Sequence, residues 1–104
     1  MIAISADHLR QVVHAIFSAV NAPESVAQRL ADSLVESNLV GHDSHGVLRV
    51  PEYIQRIQAG TLRLNGQIEI VRETSGTALI DCGWNLGQVG LPQGMELAIR
   101  KARN

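Results

Sequence analysis

From Ser5 onward, apolar residues recur at Leu9, Val12, Val13, Ile16, Phe17 and Val20, a spacing of three and four that gathers them on one side only if the chain coils into an α-helix. Ser5 is placed to cap that helix, because a short hydroxyl side chain can accept from an unpartnered N–H of the first turn. Asn21-Ala22-Pro23 breaks the pattern. It resumes at Val26, Ala27, Leu30, Ala31, Leu34, Val35 and Leu39, with Pro23 suited to the first turn and Gly41 to the left-handed residue that ends a helix. Two one-sided helices joined by so short a break are expected to pack as an antiparallel pair.

Val50, Ile54 and Ile57 return to helical spacing, and Gly60 supplies a stop. Proline inside a helix costs about 3 kcal/mol, so Pro51 points to a tight helical turn over Ser44 to Arg49 and a regular helix starting around Pro51. The period then changes. Gln67 to Arg72 and Thr77 to Asp81 alternate with period two around Thr74-Ser75-Gly76, which predicts a β-hairpin. A hairpin alone is marginal in water and must lean on a helix or join a larger sheet. A last helix is expected over Met95, Leu97, Ala98, Ile99 and Ala102, with Arg100, Lys101 and Arg103 at the negative end of its dipole and its start obscured by Pro92 and Gly94. The fold class is α+β: an amino-terminal bundle of about three helices, then a hairpin and a final helix. Residues 1–62 read as a helical domain and 63–104 as the start of a second one. A lone hairpin flanked by helices looks like the opening of a larger arrangement.

With 104 residues, the chain is long enough for one small core without disulfide or metal staples. Nine Lys and Arg against ten Asp and Glu give a net charge of −1, which removes the drive for nonspecific nucleic-acid binding. No apolar run approaches the roughly 18 residues that span a bilayer, and Asp7, His8, Arg10 and His14 interrupt the stretch that a signal peptide would need. The expected location is the cytoplasm. Cys82 is the only cysteine, so no internal disulfide can form, and it reads as a small buried apolar residue.

His8 and His14 lie on the first helix, away from other chemical residues, and read as surface or helix-end groups. Gly41-His42-Asp43-Ser44-His45-Gly46-Val47-Leu48-Arg49 differs, because it packs an acid/base residue, a hydroxyl, a carboxylate and a guanidinium between two helices. On composition alone it is an ordinary connection in which Ser44 or Asp43 caps the next helix. A metal reading would take His42, His45 and Asp43, but H-x-x-H by itself is a weak signal. A catalytic reading uses His45 as proton carrier, since an imidazole cycles near neutral pH. Ser44 would then orient or relay the proton, and Arg49, at i+4, would grip a substrate carboxylate.

The run G-H-D-S-H-G-V-L-R-V-P-x-Y-I from Gly41 to Ile54, with Gly87-Gln88 and Ala98-Ile99-Arg100-Lys101-Ala102-Arg103, resembles the amino-terminal part of the malate/L-lactate dehydrogenase family. These are NAD(P)-dependent 2-oxoacid reductases that do not use the common Rossmann fold, and the group includes ureidoglycolate, sulfolactate and diketogulonate enzymes and imine reductases. The resemblance implies that His45 is the proton donor, Ser44 its catalytic partner and Arg49 the substrate-carboxylate arginine. Tyr53 falls where members keep an aromatic near the pocket, although packing is an equal reading. Residues 1–62 become the substrate side, and the partners a small 2-oxo or 2-hydroxy acid and a second copy of the chain. The family's cofactor, NAD or NADP, is held mostly by segments after the matched region. The chain stops at Asn104, before those segments, so no tight nucleotide binding is expected and no cofactor residues can be named. Where members carry helix-favouring residues after Gly-Gln, this chain has Gly90, Pro92 and Gly94.

Two readings follow: part of a dehydrogenase that moves hydride between nicotinamide and a small 2-hydroxy or 2-oxo acid, or a non-catalytic, self-associating helical module left by truncation of such an enzyme. For the first, His45 and Arg49 should point into one shared concavity, with Ser44 in hydrogen-bond reach of His45 and His42 pointing elsewhere. No G-x-G-x-x-G fingerprint is present, since Gly83, Gly87 and Gly90 have the wrong spacing.

Overall fold

The computed structural model describes residues 2–104. Helix α1 spans Ala6–Ala19, α2 Glu24–Leu39, α3 Val50–Gln58 and α4 Gly87–Arg103; strands β1 (Glu69–Glu73) and β2 (Ala78–Asp81) form an antiparallel hairpin between α3 and α4. The class is α+β, as the change of period predicts.

The helix ends follow from single residues. Ser5 Oγ accepts from the His8 N–H at 3.2 Å and caps α1. Pro23 stands just ahead of α2, as its N-cap, where its missing N–H is no loss. The first three helices all stop the same way: Asn21, Gly41 and Gly60 take φ of 65°, 82° and 78°. The next N–H then reaches back to the carbonyl of Phe17, Ser37 or Arg56 at 2.8–3.1 Å. Asn21 manages this as a non-glycine because its short polar side chain tolerates the left-handed region.

Helix α2 is the centre of the core, with Val26, Ala27, Leu30, Ala31, Leu34 and Val35 all buried. Val13 and Phe17 of α1 face it. The Arg10–Asp32 ion pair at 3.8 Å and the His14–Glu24 contact at 2.8 Å run in opposite senses along the two helices and mark them as antiparallel. Val50 at the head of α3, Leu62 and Leu64 after it, and Leu86 and Val89 at the head of α4 complete the same core. Asn85 ties the α4 approach to the segment after α3, its Nδ2 donating to the carbonyls of Leu64 and Gly66 at 3.2 Å.

The hairpin leans on α4, as a two-stranded unit must. Lys101 Nζ donates to the Thr74 carbonyl and pairs with Glu73 at 3.0 Å. Period-two alternation from Gln67 does not survive intact. The register passes from Ile70↔Ile80 to Arg72↔Leu79, so Val71 is an extra residue, and every residue of β1 is exposed. Helix α4 begins eight residues before Met95, at Gly87, and carries Pro92 inside it. Gly90 is the reason for close packing there: a Cβ would overlap the Cys82 sulfur. Cys82 is half-buried against that helix rather than deep in the core.

Candidate active site

Between α2 and α3 the chain makes two short 3-10 turns, Asp43–His45 and Val47–Arg49, and then enters α3 with Pro51 in its first turn. The tight turn and the helix start around Pro51 are where the sequence puts them. This brings Ser44, His45 and Arg49 together in one chain of contacts. Ser44 Oγ is 2.9 Å from His45 Nδ1. Arg49 Nε donates to the Ser44 carbonyl at 2.8 Å. A hydroxyl can donate to a bare Nδ1 or accept from Nδ1–H, so Ser44 can stay in contact through both protonation states of the ring without engaging Nε2.

The expected shared concavity is not formed by these residues. His45 is exposed and Arg49 half-exposed, so they stand on an open ledge. A groove of about 1220 Å³ lies elsewhere, between α2 and α4, lined by Arg29, Asp32 and Glu36 on one side and Leu91, Pro92 and Met95 on the other. A short turn has no opposite wall of its own. His42 also departs from expectation: its ring centroid is 4.0 Å from that of His45, with the planes tilted by 40°. A turn of three residues per helical repeat stacks positions i and i+3, which carries His42 onto the same side.

Three further residues contact the site. Glu52 accepts from Arg49 Nη1 at 2.8 Å, one helical turn along. Asn38, in the last turn of α2, donates through Nδ2 to Asp43 Oδ1 at 2.8 Å and accepts from the Val47 N–H at 2.9 Å. Gln88 of α4 donates to the Tyr53 hydroxyl at 3.4 Å; Tyr53 is half-buried and packs on the core. The Arg49–Glu52 spacing of three could have been read as an ion pair, whereas the partners of Asn38 are five and nine residues away and follow no helical rule. His14, read as a helix-surface group, reaches Glu24 across the α1–α2 break.

Among the described residues, no three His, Cys, Asp or Glu side chains gather as a metal-binding group. Two of the glycines around the head of α4 are closed to a dinucleotide. The space beside Gly83 is taken by the Gln67 main chain and that beside Gly90 by the Cys82 sulfur. The Val89 and Gly90 N–H groups, at the head of α4, both turn to the Leu86 carbonyl. They are not left for a phosphate.

The sequence pattern of the malate/L-lactate dehydrogenase family matches residues 4–104. The chain belongs to that family. The malate/(S)-sulfolactate dehydrogenase of Methanothermus fervidus is 42% identical over 101 residues, 97% of this chain and 30% of that protein. Hydroxycarboxylate dehydrogenase B of Escherichia coli O157:H7 is 35% identical over 93% of this chain and 27% of its own length. Among solved structures, malate dehydrogenase from Pyrococcus horikoshii OT3 superimposes with a TM-score of 0.92 at 37% identity, covering 98% of this chain and 29% of that one. Sulfolactate dehydrogenase from Methanocaldococcus jannaschii gives 0.93 at 35% identity, over 99% of this chain and 30% of its own. The chain thus spans about 30% of the length of the family members it matches. Among the described residues, no helix is long and apolar enough to cross a membrane.

Proposed function

We propose that the chain is the protonation and carboxylate-binding part of an NAD(P)-dependent oxidoreductase acting on a small 2-oxo or 2-hydroxy acid. The observation that carries this is the linked trio: the Ser44 hydroxyl on His45 Nδ1 and Arg49 on the Ser44 carbonyl, in a D-S-H-G-x-x-R segment. In reduction, His45 gives its Nε2 proton to the carbonyl oxygen of the substrate as that oxygen gains charge. The proton remaining on Nδ1 then points at Ser44 Oγ. Arg49 Nη2 is left by the bonds to Ser44 and Glu52 for the substrate carboxylate, fixing the carbonyl against His45. Oxidation of the hydroxy acid runs the same proton path backwards.

Under this proposal the nucleotide that supplies the hydride is held mostly by other parts of the whole protein, since Gly83 and Gly90 are closed by packing. In this reading residues 1–62 are the substrate side, 63–104 open a second domain, and the working form is a cytoplasmic homo-oligomer whose other surfaces close the ledge around His45. Tyr53 lines the substrate side through its hydroxyl. Relatives named for malate and sulfolactate support a carboxylate-bearing substrate.

The test is NAD(P)H absorbance with the whole protein and pyruvate, oxaloacetate or a cyclic imine acid. His45→Ala is expected to lower kcat by about 10²–10⁴-fold. Arg49→Ala should chiefly raise KM for the acid. Turnover unaffected by His45→Ala overturns the proposal.

A further inference from the structure

We infer that Asn38 is a positioning residue for the histidine site, acting through His45 without touching substrate. The inference rests on the role given to His45 above, but its geometry stands on its own. The loop from Asp43 to Arg49 has one apolar hold on the core, the half-buried Val47; Gly46 is its one buried residue and Arg49 is half-buried. Each 3-10 turn is closed by few main-chain bonds, among them Gly46 N–H to the Asp43 carbonyl and Arg49 N–H to the Gly46 carbonyl, both 3.0 Å. The side chain that ties both turns of the loop to α2 is the Asn38 amide. Its Nδ2 holds the Asp43 carboxylate at 2.8 Å and its Oδ1 holds the Val47 N–H at 2.9 Å. These two anchor points bracket Ser44-His45-Gly46, one in each turn.

Gly46 lies against the same amide, where a Cβ would overlap Oδ1, Cγ and Nδ2 of Asn38. The glycine of the S-H-G triplet is therefore the space that Asn38 occupies. Only a side chain with a donor and an acceptor a carboxamide apart can satisfy Asp43 and Val47 together. Aspartate would set two carboxylates face to face, and leucine, of similar shape, would satisfy neither. With the bracket gone, the main chain of residues 44–46 is free to turn, and the Ser44 hydroxyl and His45 ring leave the places from which they meet substrate.

The test reads this in the 104-residue chain by NMR, from hydrogen exchange of the Val47 amide and the ring-nitrogen signals of His45. Methyl signals of Leu30 and Leu34 report the core. Asn38→Leu is expected to speed Val47 exchange by about two- to tenfold, as loss of a part-buried hydrogen bond does, and to shift the His45 Nδ1 signal with the core signals unchanged. Asn38→Asp should displace His45 as well. Combining Asn38→Asp with Asp43→Asn exchanges donor and acceptor between the two side chains and should return both readouts to their original values. If Asn38→Leu unfolds the chain, the contrast between Asn38→Asp and the double variant decides. Unchanged Val47 and His45 signals in Asn38→Leu, or a double variant no different from Asn38→Asp, overturn the inference. Turnover enters none of these readouts, so failure here leaves the assignment of His45 standing, and the reverse.

Discussion

Arg49 Nη1 lies 2.8 Å from Glu52 Oε2, so the guanidinium assigned to a substrate carboxylate already has a carboxylate partner. The two side chains are 41% and 47% exposed, which places the pair among ion pairs worth about 0.2–1 kcal/mol. An incoming acid must share Arg49 with Glu52 or displace it. Glu52→Gln removes the competing charge while keeping the hydrogen-bond acceptor. In the whole protein it should lower KM for the acid by about 1.4- to 5-fold, the equivalent of that energy, with kcat little changed. An increase in KM would mean that Glu52 helps by aiming Arg49, the opposite role.

Gly90 gives a prediction whose sign reverses with its neighbour. A Cβ there would overlap Cys82 Sγ, so Gly90→Ala should cost about 1–3 kcal/mol by overpacking. Removing the sulfur with Cys82→Ala leaves the Cys82 Cβ at 3.4 Å and Ile68 Cδ1 at 3.7 Å as the nearest atoms, close to ordinary contact distances. In that background Gly90→Ala should stabilise the chain by about 0.5–1 kcal/mol, the usual difference between alanine and glycine in a helix. Thermal melting of the four proteins of this cycle measures both. Destabilisation of equal size in the two backgrounds would show that the sulfur is not what excludes a side chain at position 90.

Gly90 also shows what kind of information a sequence hides. Against Pro92 and Gly94 it reads as a helix in difficulty, while in space it is a close approach between α4 and Cys82, eight residues away. The helix ends were legible because each depends on one local residue: Ser5, Asn21, Gly41 and Gly60 act within a single turn of themselves. The Ser44–His45–Arg49 trio was legible for the same reason, lying within six residues. His42 was misplaced because it was read as lying outside the turn, whereas it caps the turn from Asp43, its carbonyl accepting from the His45 N–H at 3.0 Å, which brings the two rings together. The bulge at Val71 and the clamp from Asn38 were not legible, since one depends on pairing with β2 and the other on where the end of α2 meets the next loop. The open ledge is the same lesson at larger scale: a shared side can be read from spacing, but the wall opposite it cannot.

Self-association of the isolated chain is expected from α4 and the hairpin. Leu91, Met95 and Ile99, four residues apart, form one stripe of α4 and are 74%, 62% and 44% exposed. Ile70, Val71 and Leu79 add apolar surface on the hairpin, whose outer strand edges are unpaired among the described residues. The radius of gyration is 15.5 Å, against about 13 Å for a compact chain of this length, so the chain leaves more surface in water than a compact one. Light scattering should give a mass above 11.3 kDa that rises with concentration. Leu91→Glu with Met95→Glu should return it to a monomer without loss of helix signal. A strict monomer at high concentration would show that the exposed stripe is not adhesive.

The 104-residue chain by itself is expected neither to turn over 2-hydroxy acids nor to hold NAD or NADP tightly. Two of the glycines near the head of α4 are used for packing, Gly83 against Gln67 and Gly90 against Cys82, so neither offers its main chain to a pyrophosphate. The N–H groups of Val89 and Gly90 are already bonded to the Leu86 carbonyl. Protonation and carboxylate binding alone do not bring a hydride to the substrate carbon, and a misplacement of about 1 Å can cost on the order of a hundredfold in rate. Calorimetric titration of the chain with each nucleotide, beside NAD(P)H absorbance with pyruvate, oxaloacetate and a cyclic imine acid, measures both halves. Heat of tight binding would mean that the segment from Gly83 to Gly90 opens to admit phosphate. Turnover abolished by His45→Ala would mean that the ledge between α2 and α3 is a working site without the rest of the protein, while turnover insensitive to that change would come from a contaminating enzyme.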